Sequence, residues 1–431
     1  MKHYYIIDFD STFTRVEALD ELAKISLKNH PNKQEIFKEI ENLTNLAMEG
    51  KLSFRESLAK RVQLLHANRR HLKKLVKVLK KKVSLSFERN KEFFKTHRND
   101  VLIVSGGFKE FITPVVKPFH IKKKNIYANT FVYDDEGNIV GYDEENPLSF
   151  EGGKVKLLEE LDLQGEIFGI GDGYSDFQLK ESGHIERFYA FTENISRKNV
   201  TEKADHVTPS FDEFLYVNNL PSAISYPKNR ILCLIVGNIP ARAAEILKND
   251  GFSIRVKDTF EEKYTEDVAM LLFGEDTELS DDQLQRAEKL KTIGYLGNSK
   301  GKFSRSICNE KGVVIFDDKK NKVKNVEFIP KRMADFINNG DTDQSRNFPN
   351  LKLPKLKNAH RLLHIHKNVS GIMAQINKVY AGQDINIISQ FLMTRGDIGY
   401  AVTDIETAYS DEVLKELKTI DNTIKFRTLF K

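Results

Sequence analysis

Two pairs of carboxylates stand out by type and spacing. Asp8 and Asp10 close the run YYIIDFD, and Asp172 and Asp176 lie in GEIFGIGDGYSDFQ, residues 165–178. Alternate side chains of a strand share a face, so Asp8 and Asp10 point one way and Phe9 the other. Neighbouring carboxylates repel unless a cation or a proton lies between them. Gly169, Gly171 and Gly173 open a second reading, the phosphate cradle of a dinucleotide-binding loop. That fingerprint needs a glycine where Tyr174 stands if it starts at Gly169, or where Asp176 stands if it starts at Gly171. Asp172 would also repel a pyrophosphate. Only Glu193, about 20 residues further on, suits a dinucleotide. A carboxylate loop that completes a hard-metal site with Asp8 fits better, because Mg²⁺ takes a few oxygen ligands and keeps some water.

These acids need a frame that brings residues 8 and 172 together. Residues 4–10 read as a short buried strand, and the apolar runs DVLIVSGGF, NIYANTFVY, EIFGIGDG and RFYAFT recur between 100 and 215 with helical stretches between them. That alternation predicts a parallel α/β sheet with ligands at the C-terminal strand ends. Residues of about 15–85 read as an inserted helical lid. Within it RRHLKKLVKVLKKK places Leu72, Leu75, Val76 and Leu79 at helical spacing. It reads as a surface helix with a solvated basic face.

Residues 218–229 read as a linker with two prolines. A second α/β pattern follows over 230–337: strand-like RILCLIVG, VAMLLFG and VVIFDD, helical IPARAAEILKNDG, and SDDQLQRAEKLK behind a serine cap. The polar, proline-containing 338–357 reads as another linker. Residues 358–431 give a β-α-β-β-α-β order, the ferredoxin-like pattern.

The chain has 431 residues, enough for two to four domains, and a formal charge of +5 on 67 basic and 62 acidic residues. That balance gives no global nucleic-acid-binding character, and no apolar run has membrane length. Cys233 and Cys308 have no metal-ligand spacing and suit a reducing compartment. The N-terminus shows no signal-peptide pattern, so the expected location is the cytoplasm.

Four elements stand in one order: DxDST (Asp8, Asp10), SGG (Ser105, Gly106, Gly107), GGK (Lys154) and GDGxxD (Asp172, Asp176). Over residues 1–217 this resembles the haloacid-dehalogenase superfamily, and within it the phosphoserine phosphatases. The resemblance implies Asp8 as nucleophile and Asp10 as general acid–base. It implies Mg²⁺ held by Asp8, the Asp10 carbonyl and Asp172, with Asp176 ordering the metal's water or Lys154. Ser105, Gly106 and Lys154 would hold phosphate. Glu17 would meet a substrate ammonium, Arg61 its carboxylate, and Met48 and Phe54 apolar lid positions. Ser175 departs mildly from the Asn or Thr of many members.

Residues 230–337 resemble the substrate domain of D-3-phosphoglycerate dehydrogenase with the nucleotide-binding domain missing. No GxGxxG remains, and neither the catalytic histidine nor its acidic partner has a counterpart. This part reads as a scaffold rather than a retained ligand site. Residues 358–431 resemble that enzyme's serine-binding ACT domain, which places effector contacts at His366, Asn368 and Asn386. The pair His364 and His366 lacks a third ligand at zinc spacing. The expected whole is a Mg²⁺-dependent hydrolase of O-phospho-L-serine, the last step of serine biosynthesis, regulated by L-serine and assembled through its ACT domains into a homodimer or higher homo-oligomer. No nucleic acid or membrane partner is expected. The alternatives are a phosphatase or phosphotransferase on another small phosphorylated amine, and a non-catalytic serine sensor.

Overall fold

The computed structural model describes residues 2–48, 51–274, 277–297, 303–317, 326–356, 359–406 and 411–430, in two compact units, 1–222 and 223–431. In the first unit six parallel strands form the sheet: β1 (His3–Ile7), β2 (Val101–Phe108), β3 (Ile126–Asn129), β6 (Glu166–Gly171), β7 (Arg187–Phe191) and β8 (His206–Thr208). A hairpin, β4 (Phe131–Tyr133) and β5 (Ile139–Tyr142), branches off between β3 and β6. The sheet order is β3-β2-β1-β6-β7-β8. Strands covered on both faces read as near-continuous apolar runs, as β2 does. Ile7 pairs with Ile103 on one side and Ile170 on the other. The strand order reverses at β1, so the DxD, SGG and GDG segments leave neighbouring strands at one edge, where α/β sheets place their ligands.

The inserted block is helical: α1 (Ala18–Ser26), α2 (Lys33–Met48), α3 (Phe54–Leu64) and α4 (Arg69–Leu79). Ser53 caps α3 by accepting from the Glu56 amide, and Asn68 caps α4 by accepting from Arg70 and His71. Leu72, Leu75 and Leu79 are buried, Val76 packs beside them, and Lys73, Lys74 and Lys77 face solvent. The block is tied at its neck by an antiparallel bridge between Thr14 and Val83, where Ser84 donates its amide to Phe13.

The second unit holds two sheets. The parallel one runs β10-β9-β11-β12-β13, from β9 (Leu232–Val236), β10 (Ser253–Lys257), β11 (Val268–Gly274), β12 (Thr292–Leu296) and β13 (Val314–Asp317). Asp318, at the end of VVIFDD, lies outside the described residues. The antiparallel sheet runs β15-β16-β14-β17, from β14 (His360–Lys367), β15 (Ile387–Arg395), β16 (Ile398–Ile405) and β17 (Thr423–Phe430). Helices Ile372–Gly382 and Asp411–Thr419 complete the β-α-β-β-α-β order.

Of residues 338–357, expected as a linker, the described part, 338–356, is packed instead. Phe348, Leu351 and Leu353 share one core with Val314 and Phe316 of the parallel sheet and with Leu363, Ile365, Tyr400 and Val402 of the antiparallel one. Buried polar residues of the segment find partners within it and on the neighbouring strand: Thr342 donates to the Pro349 carbonyl, and Asn347 donates to Val313 and accepts from the Ile315 amide. Arg361, buried, forks onto Asp404 at 2.6 and 2.8 Å and also reaches Asn339. Among the described residues no helix is long and apolar enough to cross a membrane.

Candidate active site

β1 ends at Ile7, short of the strand expected over 4–10; Asp8 and Asp10 are extended, but Phe9–Phe13 forms an irregular helical turn in which Ser11 has φ 54°, in the left-handed region. That turn sends the chain into the helical block and leaves both aspartates at the sheet's edge. Asp10 Oδ1 accepts from the Ala18 amide at 2.7 Å, at the start of α1. Burial, with Glu17 and Asp8 close by, holds the Asp10 carboxyl well above the usual carboxylate range, which favours its protonated form.

Lys154 opens the helix Gly153–Leu161 and sends its ammonium between two carboxylates, 2.8 Å from Asp8 Oδ1 and 2.6 Å from Asp176 Oδ1. Burial works against that charge, yet Asp176 and Asp8 keep the amine above the usual lysine range. Asp176 in turn accepts from the Gly173 amide at 3.1 Å. A Cβ on Gly171 would lie 2.2 Å from Asp176 Cγ, so glycine here makes room for the second acid of its own motif. The glycines therefore serve the carboxylates. Glu193, the residue that suited a dinucleotide, accepts instead from the amide and hydroxyl of Ser86.

Asp8, Asp172 and Asp176 are buried, and each offers a carboxylate oxygen within 4.8 Å of the others. Two cations, Lys154 and Arg197, face these three acids. An all-oxygen donor set with charge to spare fits a hard divalent cation. The Asp10 side chain, occupied with Ala18, stands outside this cluster.

Ser105 Oγ accepts from the Gly107 amide at 3.0 Å, so the SGG turn is closed on itself at the end of β2. A Cβ on Gly106 would come within 2.6 Å of the Phe54 ring, which sets the first residue of α3 directly over that turn. The Phe54 amide donates to Glu151, and Arg55 pairs with Glu144 at 2.9 Å. The helical block thus lies closed on the sheet's edge. Arg61 is buried, donates to Thr44 Oγ1 at 3.3 Å and leaves Nε without a partner. Burial lowers its pKa while Glu17, Asp20 and Asp10 oppose that shift. Glu17 accepts from Ser11 Oγ at 2.7 Å, and burial together with Glu17 pushes Asp20 up to about 6. The structure therefore gathers Asp8, Asp10, Glu17, Phe54, Arg61, Ser105, Gly106, Lys154, Asp172 and Asp176 under one lid. The side chain of Met48 lies outside the described residues.

Sequence reasoning missed three residues. Thr12 donates to Asp172 Oδ1 at 2.9 Å. Arg197 forms an ion pair with the other oxygen of Asp172. Asn194 donates to the carbonyls of Ser11 and Thr14 and to Ser84 Oγ, clamping the turn that carries Asp8 and Asp10. The available signal was position: Asn194 and Arg197 follow the C-terminal end of β7, at the ligand edge of the sheet.

A family model described as haloacid dehalogenase-like hydrolase matches residues 6–181, the span that carries every one of these motifs. The N-terminal unit is a haloacid dehalogenase-like phosphatase domain. The chloroplastic phosphoserine phosphatase of Arabidopsis thaliana is 28% identical over 212 residues, 48% of this chain and 69% of that protein. The human phosphoserine phosphatase is 29% identical over 219 residues, 48% of this chain and 89% of that one. A D-3-phosphoglycerate dehydrogenase of Haemophilus influenzae is 39% identical over 108 residues, 25% of this chain. The chain spans only 26% of that dehydrogenase's length. Residues 362–425 match a model described as AHAS small subunit-like ACT domain. One chain thus carries the phosphatase domain, a stretch similar to that dehydrogenase and a C-terminal ACT domain.

In the ACT sheet His366 is buried, its ring so close over Gly399 that a Cβ there would lie 2.0 Å from Cε1. Its Nδ1 donates to the Lys367 carbonyl at 2.9 Å, and Nε2 is buried without a partner. Asn368 donates to Gly396 and Asn386 to Glu406. His366 pairs with Gly399 at the start of β16, whereas Asn386 lies beyond the pairing of Ile387 with Ile405 at its end. At about 3.4 Å per residue the two ends of β16 lie roughly 20 Å apart. One copy of the chain does not bring these three residues together. His364 meets the Leu417 carbonyl and Thr423 Oγ1 through Nε2, and its Nδ1 is buried without a partner.

Proposed function

We propose that the phosphatase domain hydrolyses O-phospho-L-serine through an aspartyl-phosphate on Asp8. The observation that carries this reading is the pairing of opposite charges under the lid: Asp8, Lys154 and the acid cluster on the sheet side, Glu17 and Arg61 on the lid side. The first set suits a phosphate and the second an amino acid's ammonium and carboxylate. Phosphoryl transfer asks for positioning and charge neutralisation more than covalent help. Asp8 attacks phosphorus. Asp10, favoured in its protonated form, gives its proton to the departing serine oxygen and takes one back from the attacking water. Lys154 and Ser105 hold phosphate oxygens, with the Gly106 amide beside them. Asp8 and Asp172 would hold Mg²⁺ with the Asp10 carbonyl, Asp176 ordering its surroundings. That ion offsets the negative charge shared by nucleophile and phosphate. The Arg61 fork takes the carboxylate. The buried, unpartnered Nε of Arg61 supports an anionic group coming to it.

For the ACT domain we infer an L-serine site shared between two copies. β15 is an edge strand with Ile388 and Leu392 exposed. Two copies pairing antiparallel along β15 would put the start of one beside the end of the other. Asn386 of one copy then meets the Gly396 turn, and with it Asn368, of the partner. The phosphate-release test is a panel of small phosphomonoesters with Mg²⁺. O-phospho-L-serine should outrun phosphoethanolamine and glycerol phosphate, which lack the carboxylate or both charged groups. Preference for either would remove the assignment of Glu17 and Arg61.

A further inference from the structure

The second unit contains a group of cations with no ion-pair partner among the described residues. Lys425 and Arg427 lie two apart on β17, hence on one face. The Lys425 ammonium is 2.5 Å from the Leu290 carbonyl and 3.5 Å from that of Lys311, where the chain enters β12 and turns toward β13. Lys291, next to Leu290, turns its ammonium back to the Lys289 carbonyl at 3.4 Å. Arg427 stacks over Phe336 at 5.0 Å, donates Nη2 to the Ile337 carbonyl at 3.0 Å and leaves Nη1 buried with no partner. The Lys311 ammonium donates to the Gln285 carbonyl, and all four cations, Lys291, Lys311, Lys425 and Arg427, are partly buried, so solvent still reaches them.

Every hydrogen bond these side chains donate goes to a neutral carbonyl, and among the described residues none forms an ion pair. Nearby acids are committed elsewhere or exposed: Asp267 pairs with Lys289 at 2.6 Å, and exposed Glu288 favours the charged form of Lys311 without an ion pair to it. Burial, then Lys291, Arg427 and Lys311, press Lys425 down to about 7. Burial, then Arg427 and Lys289, bring Lys291 to about 8. Such crowding raises the energy of the charged forms and is relieved by an anion among them.

We propose that Lys291, Lys311, Lys425 and Arg427 form a binding site for a small phosphate-bearing dianion. Two charges on a tetrahedral group match several ammonium donors arriving from different directions, and a guanidinium edge suits phosphate oxygens. Inorganic phosphate and a small phosphomonoester share that chemistry.

The test is lysine acetylation of the full chain by acetic anhydride at neutral pH, read by mass spectrometry at constant ionic strength. Lys291 and Lys425 should label fast, and inorganic phosphate should slow them about fivefold or more once it exceeds its dissociation constant several-fold. Exposed Lys73 and Lys74 should be unaffected. Arg427→Gln should abolish the protection and leave phosphatase turnover unchanged; Lys291→Gln serves if that variant fails to fold. Repeating the titration with O-phosphoserine in an Asp8→Asn background ranks a phosphomonoester against free phosphate. Equal labelling of Lys291 and Lys425 with and without phosphate, or equal protection by chloride, overturns the site.

Discussion

Asp10 does its work through a proton. Its carboxyl is buried against Glu17 and Asp8 and is tied to the Ala18 amide, which fixes its direction as well as its protonation. Asp10→Asn should therefore cost about 10²- to 10⁴-fold with O-phosphoserine, whose alkoxide leaves poorly without a proton. With p-nitrophenyl phosphate the first half-reaction needs no acid. A burst of one p-nitrophenol per site should appear, followed by slow turnover, since water still lacks its base. A variant slowed equally in burst and steady state would deny Asp10 the acid role. At this scale the sequence was readable where several residues report on one another. The DxD, SGG, GGK and GDGxxD elements constrain each other by order. The roles of Thr12, Asn194 and Arg197 were not readable from type and spacing, because each acts through contacts that exist only once β1, β6 and β7 share a sheet.

At the scale of elements, the end of β6 is shaped by what it must leave room for. Gly171→Ala alters no reacting group, yet its Cβ would meet Asp176 at 2.2 Å and drive it from Lys154. Activity should fall by about 10²-fold or more. Melting should change little, since the sheet's hydrogen bonds are kept. Unchanged turnover would mean that the Lys154–Asp176 contact is dispensable. The parallel strands were legible because burial on both faces leaves continuous apolar runs. The 338–357 segment was not: its buried Thr342, Ser345 and Asn347 are polar in type, and their partners are backbone groups invisible in the sequence. On the ACT sheet, the exposed edge carries the pairing proposal. Ile388→Lys with Leu392→Lys should leave the phosphatase domain active, convert dimers to monomers in sedimentation, and abolish any serine response that product occupancy of the Asp8 pocket does not explain. A serine response retained by a monomer would place the effector site within one copy.

For the whole molecule, a phosphatase domain and an ACT domain share one chain with a parallel α/β sheet between them that lacks a GxGxxG fingerprint. Among the described residues, the parallel sheet of the second unit spends one apolar face on a core shared with the ACT sheet, as a scaffold should, and the other on a separate core with Leu284 and Ile307 of its own helices. The chain should neither oxidise 3-phosphoglycerate nor bind NADH; saturable NADH fluorescence would contradict the scaffold reading.

The central claim is that Asp8 carries the phosphoryl group of O-phosphoserine. Rapid acid quench of the full chain with ³²P-labelled O-phospho-L-serine and Mg²⁺ tests it most directly. Label should appear on the peptide containing Asp8 before free phosphate, be lost in mild alkali as an acyl phosphate is, and be absent from Asp8→Asn, with turnover down by at least about 10⁴-fold. Phosphate release at full rate with no protein-bound label, or label on Asp8→Asn, would contradict it.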